Sequence, residues 1–161
     1  MQNIVIVEAN LEDSKHQEAI IAMLNAYARD PMGSGRELPR NVRNELIPGL
    51  RNHPTSLIWL AFHGEEPVGV AVCFLGFSTF AARPLLNVHD LAVIAEYRRQ
   101  GVGRLLLEHI EAKARARGCC KLTLEVREDN QPAQRLYREV GFGDMEFEHG
   151  AVRVRFLEKR L

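Results

Sequence analysis

The chain has 161 residues, 46% of them hydrophobic and 26% charged, a composition that excludes a disordered chain and gives enough length for one folded core. Lys plus Arg number 21 and Asp plus Glu number 21, so no net charge draws in nucleic acid or an anionic membrane, and partners must be recognised by local sites. The cysteines are Cys73, Cys119 and Cys120; two of the three are adjacent, which suits neither a disulfide framework nor spaced zinc ligands.

No His-Glu-x-x-His and no helical histidine pair occurs, so no metal is expected. Met1 leads into the apolar Ile4–Val7 without a basic region or cleavage site, and no apolar run reaches membrane-spanning length. A cytoplasmic chain is expected, with no membrane partner.

Asn3 to Glu8 is rich in Ile and Val and reads as a strand. Asp13 or Ser14 can cap the helix that follows, whose stripe Ala19, Ile20, Met23, Leu24 and Tyr27 recurs at three and four residues. That spacing makes Tyr27 a core residue first and a substrate contact second. Asp30 to Pro39 holds two prolines and two glycines and reads as a loop, before a second helix over about Asn41 to Arg51 that ends ahead of His53-Pro54.

Leu57 to Phe62 and Val68 to Phe77 are apolar runs around a short polar turn, the pattern of a hairpin. A further strand covers Leu86 to Val93. Tyr97-Arg98-Arg99-Gln100-Gly101-Val102-Gly103 then opens a helix with Val102, Leu105, Leu106, His109 or Ile110, and Ala114 on one face and Gly118 as its stop. Lys121 to Val126 alternates as a strand, Gln131 to Val140 has helical spacing, and two last strands are expected near Asp144 to Glu148 and Val152 to Glu158. No repeat or linker divides residues 1–161, so a single domain is expected.

The chemistry concentrates at the turn before the third helix. A glycine-bearing strand-to-helix turn leaves backbone N–H groups aimed outwards at the positive end of the helix dipole, which suits an anion. Gly101 and Gly103 lack the Cβ atoms that would hold a phosphate away, and Arg98, Arg99 and Arg104 add positive charge. No Gly-Lys-Ser/Thr follows, which excludes a P-loop, and the dinucleotide fingerprint is incomplete and far from the N-terminus.

Leu91-Ala92-Val93, Arg98-x-x-Gly101-x-Gly103, Asn130 and Leu136-Tyr137-x-x-x-Gly141-Phe142, in this order and spacing, resemble the signature of the GNAT N-acetyltransferases. The resemblance is specific over about Asn87 to Phe142, while the first third resembles the family only in its succession of elements. It implies an α/β fold with a mostly antiparallel central sheet of about seven strands flanked by about four helices. The expected order is β-α-α-β-β-β-α-β-α-β-β, with the sheet splayed between the fourth and fifth strands.

The resemblance also implies acetyl-CoA as cosubstrate. Leu91, Ala92 and Val93 would offer backbone groups to the pantetheine arm, and Arg98, Arg99, Gln100, Gly101, Val102, Gly103 and Arg104 would wrap the pyrophosphate. Asn130, Ala133 and Tyr137 would add cofactor contacts, although Asn130-Gln131-Pro132 is also a good helix start. Family habit suggests a homodimer.

Acetyl transfer to a primary amine of a small molecule or peptide requires a neutral nitrogen, whereas a free alkylamine keeps its proton below a pKa of about 10. The thiolate released in the same step leaves more readily if an acid protonates it. Tyr137 matches the family's acid, with packing against the sheet as the alternative. His89 is the candidate base: strict alternation groups Asn87, His89 and Leu91 on one face and Val88, Asp90 and Ala92 on the other, and an unperturbed histidine titrates at about 6.5. Tyr27, Asp30, Phe77 and Asp90 are the candidate acceptor-side residues, the acids by attraction for a cationic amine. The alternative function is a non-catalytic module that binds or senses acyl-CoA.

Overall fold

The computed structural model describes residues 3–144, 146–147, 150–151 and 156–161. It forms two compact units, Met1–Leu124 and Glu125–Leu161.

In the first unit, β1 (Ile4–Glu8) leads to α1 (Ser14–Arg29), α2 (Arg40–Asn52), β2 (Ser56–His63), β3 (Glu66–Ser78) and β4 (Arg83–Val93). A short 3-10 turn (Ala95–Tyr97), α3 (Val102–Ala116) and β5 (Leu122–Leu124) complete it. Of the two possible caps of α1, Asp13 is the one used, its side chain accepting from the Lys15 N–H at 2.8 Å. The five strands form one sheet in the order β1-β2-β3-β4-β5. All neighbours are antiparallel except β4 and β5, which run parallel because α3 carries the chain across the sheet between them.

The helical stripes decide which sheet face each helix covers. Ala19, Ile20, Met23 and Leu24 of α1 and Ile47 and Leu50 of α2 pack on Ile58, Leu60, Val70 and Val72. Val102, Leu106, Leu107, Ile110 and Ala114 are the buried face of α3. A Cβ placed on Gly69 of β3 would lie 3.2 Å from a Leu106 methyl, so α3 sits close on the opposite face of the sheet. Ile20, Leu60, Leu86, Leu106 and Ile110 are fully buried, each worth about 1.5–3 kcal/mol by removal of its side chain from water. Where helical spacing alone left His109 or Ile110 for that face, Ile110 is buried and His109 is exposed.

The second unit contains α4 (Gln131–Glu139), β6 (Glu146–Phe147) and β7 (Gly150–Ala151). Where a mostly antiparallel sheet of about seven strands was expected, the described residues form a mostly antiparallel sheet of five strands and, in the second unit, a two-stranded ladder pairing Glu146 with Ala151 and Phe147 with Gly150. Alternation marks a segment as able to be a strand but does not name its partner. Of the last expected strand, residues 152–155 lie outside the described residues, and 156–158 have no regular structure.

Candidate active site

The site begins with an irregularity in β4. Cys73 faces Val88 and Val72 faces Asp90, so His89 is an extra residue without a cross-strand partner in β3, a β-bulge. Paired residues share a face, and the pairs Phe74–Asn87, Val72–Asp90 and Val70–Ala92 put Asn87, Asp90 and Ala92 together, while Val88 and Leu91 lie opposite. The face grouping expected from strict alternation is thereby corrected: the bulge shifts the period by one, and Asp90 joins Asn87 on the side covered by α1 and α2.

The same strand acquires an open edge. β5 pairs with β4 only from Leu86 to Val88, which is the expected splay. Ile94 N–H donates to Val68 O at 3.0 Å, and antiparallel ladders alternate their hydrogen bonds. Ala92 accordingly turns its backbone groups towards β3, whereas those of Leu91 and Val93 point out to the edge that β5 does not cover. An extended chain with amide groups could pair there as an added strand.

The edge leads into the turn before α3. Arg99 has φ 59° and Gly101 has φ 85°, two left-handed residues two positions apart, an arrangement that turns successive N–H groups into a concavity. A left-handed φ this large favours glycine at 101, and nothing lies within 4 Å of a Cβ placed there, so the turn opens outwards. The Leu105 N–H closes on the Gly101 carbonyl at 3.0 Å, which leaves the N–H groups of Val102 and Gly103 in the helix's first turn directed along its axis. Arg99 is exposed and Arg104 half-buried beside them. These residues fit a diphosphate: main-chain donors, a dipole end and flanking guanidinium charge.

Other side chains of the turn are directed back into the fold. Gln100 Nε2 donates to the Glu96 carbonyl at 2.6 Å. Arg98 donates from Nε to the Val93 carbonyl at 2.8 Å and from Nη2 to Asp30 Oδ2 at 2.6 Å. The guanidinium that sequence reasoning placed around the phosphate thus binds the strand edge and the loop after α1. Asp30, expected as a free acid for the amine, accepts from the Met32 N–H at 2.8 Å as well, and its side chain is only 15% exposed. The Met32 N–H and then Arg98 hold its carboxyl below the usual carboxylate range. Tyr27 is half-buried one turn before it.

His89 is exposed and meets Phe74 edge-on, with ring centroids 5.4 Å apart; His53 meets the same ring at 4.8 Å. Asp90 is half-buried, and burial raises its carboxyl above the ordinary value while the neighbouring His89 pulls it down. Cys73 is buried, and desolvation, with the Asp90 charge adding, pushes its thiol up to about 12, which removes it as a nucleophile. Phe77 is 62% exposed near the tip of the β3–β4 hairpin.

In the second unit, Asn130 caps α4: its Oδ1 accepts from the Ala133 N–H at 3.3 Å. This uses the amide oxygen only and occupies the Ala133 donor. Tyr137 is half-buried and stacks edge-on with Phe142, centroids 5.8 Å apart.

Sequence reasoning missed Tyr97, His53 and Phe74. Tyr97 is half-buried beside an exposed turn, and its hydroxyl meets His63 Nδ1 at 2.9 Å and Glu66 Oε2 at 3.2 Å. No local spacing shows these contacts, since the partners are more than thirty positions apart.

An open strand edge that runs into an amide-lined helix start can receive an extended ligand that ends in a diphosphate. The chain matches the model of the acetyltransferase (GNAT) family over residues 18–142 and belongs to that family. It is 26% identical over 148 residues to a thialysine N-epsilon-acetyltransferase of Caenorhabditis elegans, covering 88% of this chain and 84% of the relative. A shorter match, 46% identical over 58 residues, covers 36% of this chain and 39% of the Escherichia coli K12 [ribosomal protein bS18]-alanine N-acetyltransferase. The crystal structure of a probable acetyltransferase superposes with a TM-score of 0.78 at 26% identity, covering 97% of this chain and 99% of that one. AAC(6')-Iy in complex with a CoA-containing bisubstrate analogue shares the fold, with a TM-score of 0.76 at 16% identity over 99% of both chains. The chain is an N-acetyltransferase, and its reaction moves an acetyl group to an amine.

Proposed function

We propose that the chain transfers acetyl from acetyl-CoA to a primary amine by direct attack while both substrates are bound, with residues 1–161 acting as one domain. The observation that carries this reading is the left-handed turn at Arg99 and Gly101 feeding the start of α3, continuous with the uncovered Leu91–Val93 edge. The family match runs through both compact units, which supports treating them as one functional domain.

Acetyl-CoA supplies the acyl group as an activated thioester. The protein's part is positional and acid–base. The N–H groups of Val102 and Gly103, with Arg99 and Arg104, would hold the diphosphate, and the Leu91 and Val93 backbone would align the arm along β4. In the proposed step the C–N bond forms as the C–S bond breaks; the amine's proton passes to a base and the leaving sulfur takes one from an acid. Tyr137 is the proposed acid. His89 is the proposed base: it is exposed at the bulge of β4, beside the half-buried Asp90.

The relative aligned over most of both chains is named for a lysine analogue, so small molecules with a lysine-like side-chain amine head the acceptor panel, and peptides with N-terminal alanine follow. Family resemblance extends the reading to a homodimer, which light scattering on the purified chain tests. For the reaction itself, calorimetry measures CoA binding and a thiol-release assay screens the amines. Tyr137→Phe should cut turnover about a hundredfold, far more than it lowers CoA affinity. Tight CoA binding with no thiol released for any amine would refute the transferase reading.

A further inference from the structure

The turn that receives the diphosphate does not hold its own shape. Arg99 is left-handed without being glycine, which raises the energy of that conformation, so contacts elsewhere must stabilise it. The chain enters the turn from Ile94, tied by its N–H to Val68 O, and leaves it at Gly101. Between these points the 3-10 turn Ala95–Tyr97 sends a large side chain back across the sheet edge. The Tyr97 ring lies 5.5 Å from that of His63, the last residue of β2, and its hydroxyl reaches Glu66, the first residue of β3.

The hydroxyl carries a single proton, so it cannot donate to both neighbours. Both contacts are satisfied when His63 carries its proton on Nδ1 and donates to the Tyr97 oxygen, while the Tyr97 hydroxyl donates to the Glu66 carboxylate. Burial and the neighbouring Glu66 and Glu96 charges raise the Tyr97 phenol above its ordinary value, which keeps the hydroxyl protonated as this relay needs. His63 and Glu66 flank the two-residue turn Gly64–Glu65 of the β2–β3 hairpin, whose register is set by strands buried in the core. The relay therefore connects the cradle to the turn end of the β2–β3 hairpin.

We propose that Tyr97 is a positioning residue for diphosphate binding: through His63 and Glu66 it fixes the entry to the turn so that the amides preceding α3 converge before the cosubstrate arrives. This rests on the acetyl-CoA reading above and adds a residue that reaches the ligand only through the backbone it holds. Preorganisation of this kind shows in affinity for the diphosphate half of the ligand and not in the chemical step.

The test is Tyr97→Phe, which keeps the ring and removes the hydroxyl, beside the His63→Ala/Glu66→Ala double variant and the triple variant. Calorimetry with CoA should show affinity reduced about five- to tenfold in Tyr97→Phe, in keeping with the loss of one or two net hydrogen bonds. The double variant should lose a similar factor, and adding Tyr97→Phe to it should cost little more. With the best amine of the panel, KM for acetyl-CoA should rise by the same factor at unchanged kcat, while kcat/KM for S-acetylpantetheine, which has no diphosphate, should not change.

A general packing defect would lower both thioesters alike and would overturn the proposal, as would CoA affinity equal to wild type in Tyr97→Phe. Wild-type protein that fails to bind CoA would instead overturn the acetyl-CoA reading, so the two failures are distinguishable.

Discussion

Replacing Asp30 by Asn removes the charge that Arg98 binds while leaving an amide oxygen that can still accept from the Met32 N–H. A hydrogen bond to a charged group is worth about 1.5–3 kcal/mol, and with the Arg98 side chain 48% exposed solvent screening brings the expected loss to about 1–2 kcal/mol. Asp30→Asn, Arg98→Met and the double variant form a cycle whose coupling should be about 1 kcal/mol, because the pair is lost in either single change. Urea unfolding can be followed through Trp59, the one tryptophan, which is buried in β2.

The pH dependence has a definite sign. The folded chain holds the Asp30 carboxyl below its ordinary value, so its contribution is complete above the unfolded carboxyl pKa of about 3.9 and is lost as pH falls through the lower folded value. The stability difference between wild type and Asp30→Asn should therefore shrink between about pH 5 and about pH 2. A difference that stays constant over that range, or a coupling indistinguishable from zero, would refute the assignment of Arg98 as a strut between Asp30 and the β4 edge.

Two further outcomes follow from the geometry. His89→Ala should lower kcat/KM by about a hundredfold and flatten its acid limb; a profile in His89→Ala that matches wild type would exclude His89 as the base. Leu106→Ala, at a fully buried position packed near Gly69, should cost about 2–5 kcal/mol in urea unfolding, and a loss below about 1 kcal/mol would contradict the placement of α3 on the sheet.

The periodicity of this sequence determined the helices and most strands by itself, because a stripe at three and four residues or an alternating run can bury its apolar side in only one regular conformation. The Gly101-x-Gly103 turn was legible because glycines without Cβ atoms stand directly before a helix that was plain from Val102 to Ala114. What the tertiary structure decided was whatever depends on neighbours distant in the chain. The bulge at His89 exists only relative to β3, and it moved Asp90 across the sheet, a change that no pattern within β4 announces. Arg98 is 68 positions from Asp30 and Tyr97 is 34 from His63, so their charges and hydroxyls had no visible partners until the sheet brought them together. Local conformational preference is written in neighbouring residues, whereas the partner of a polar group is set by where the packed core leaves it.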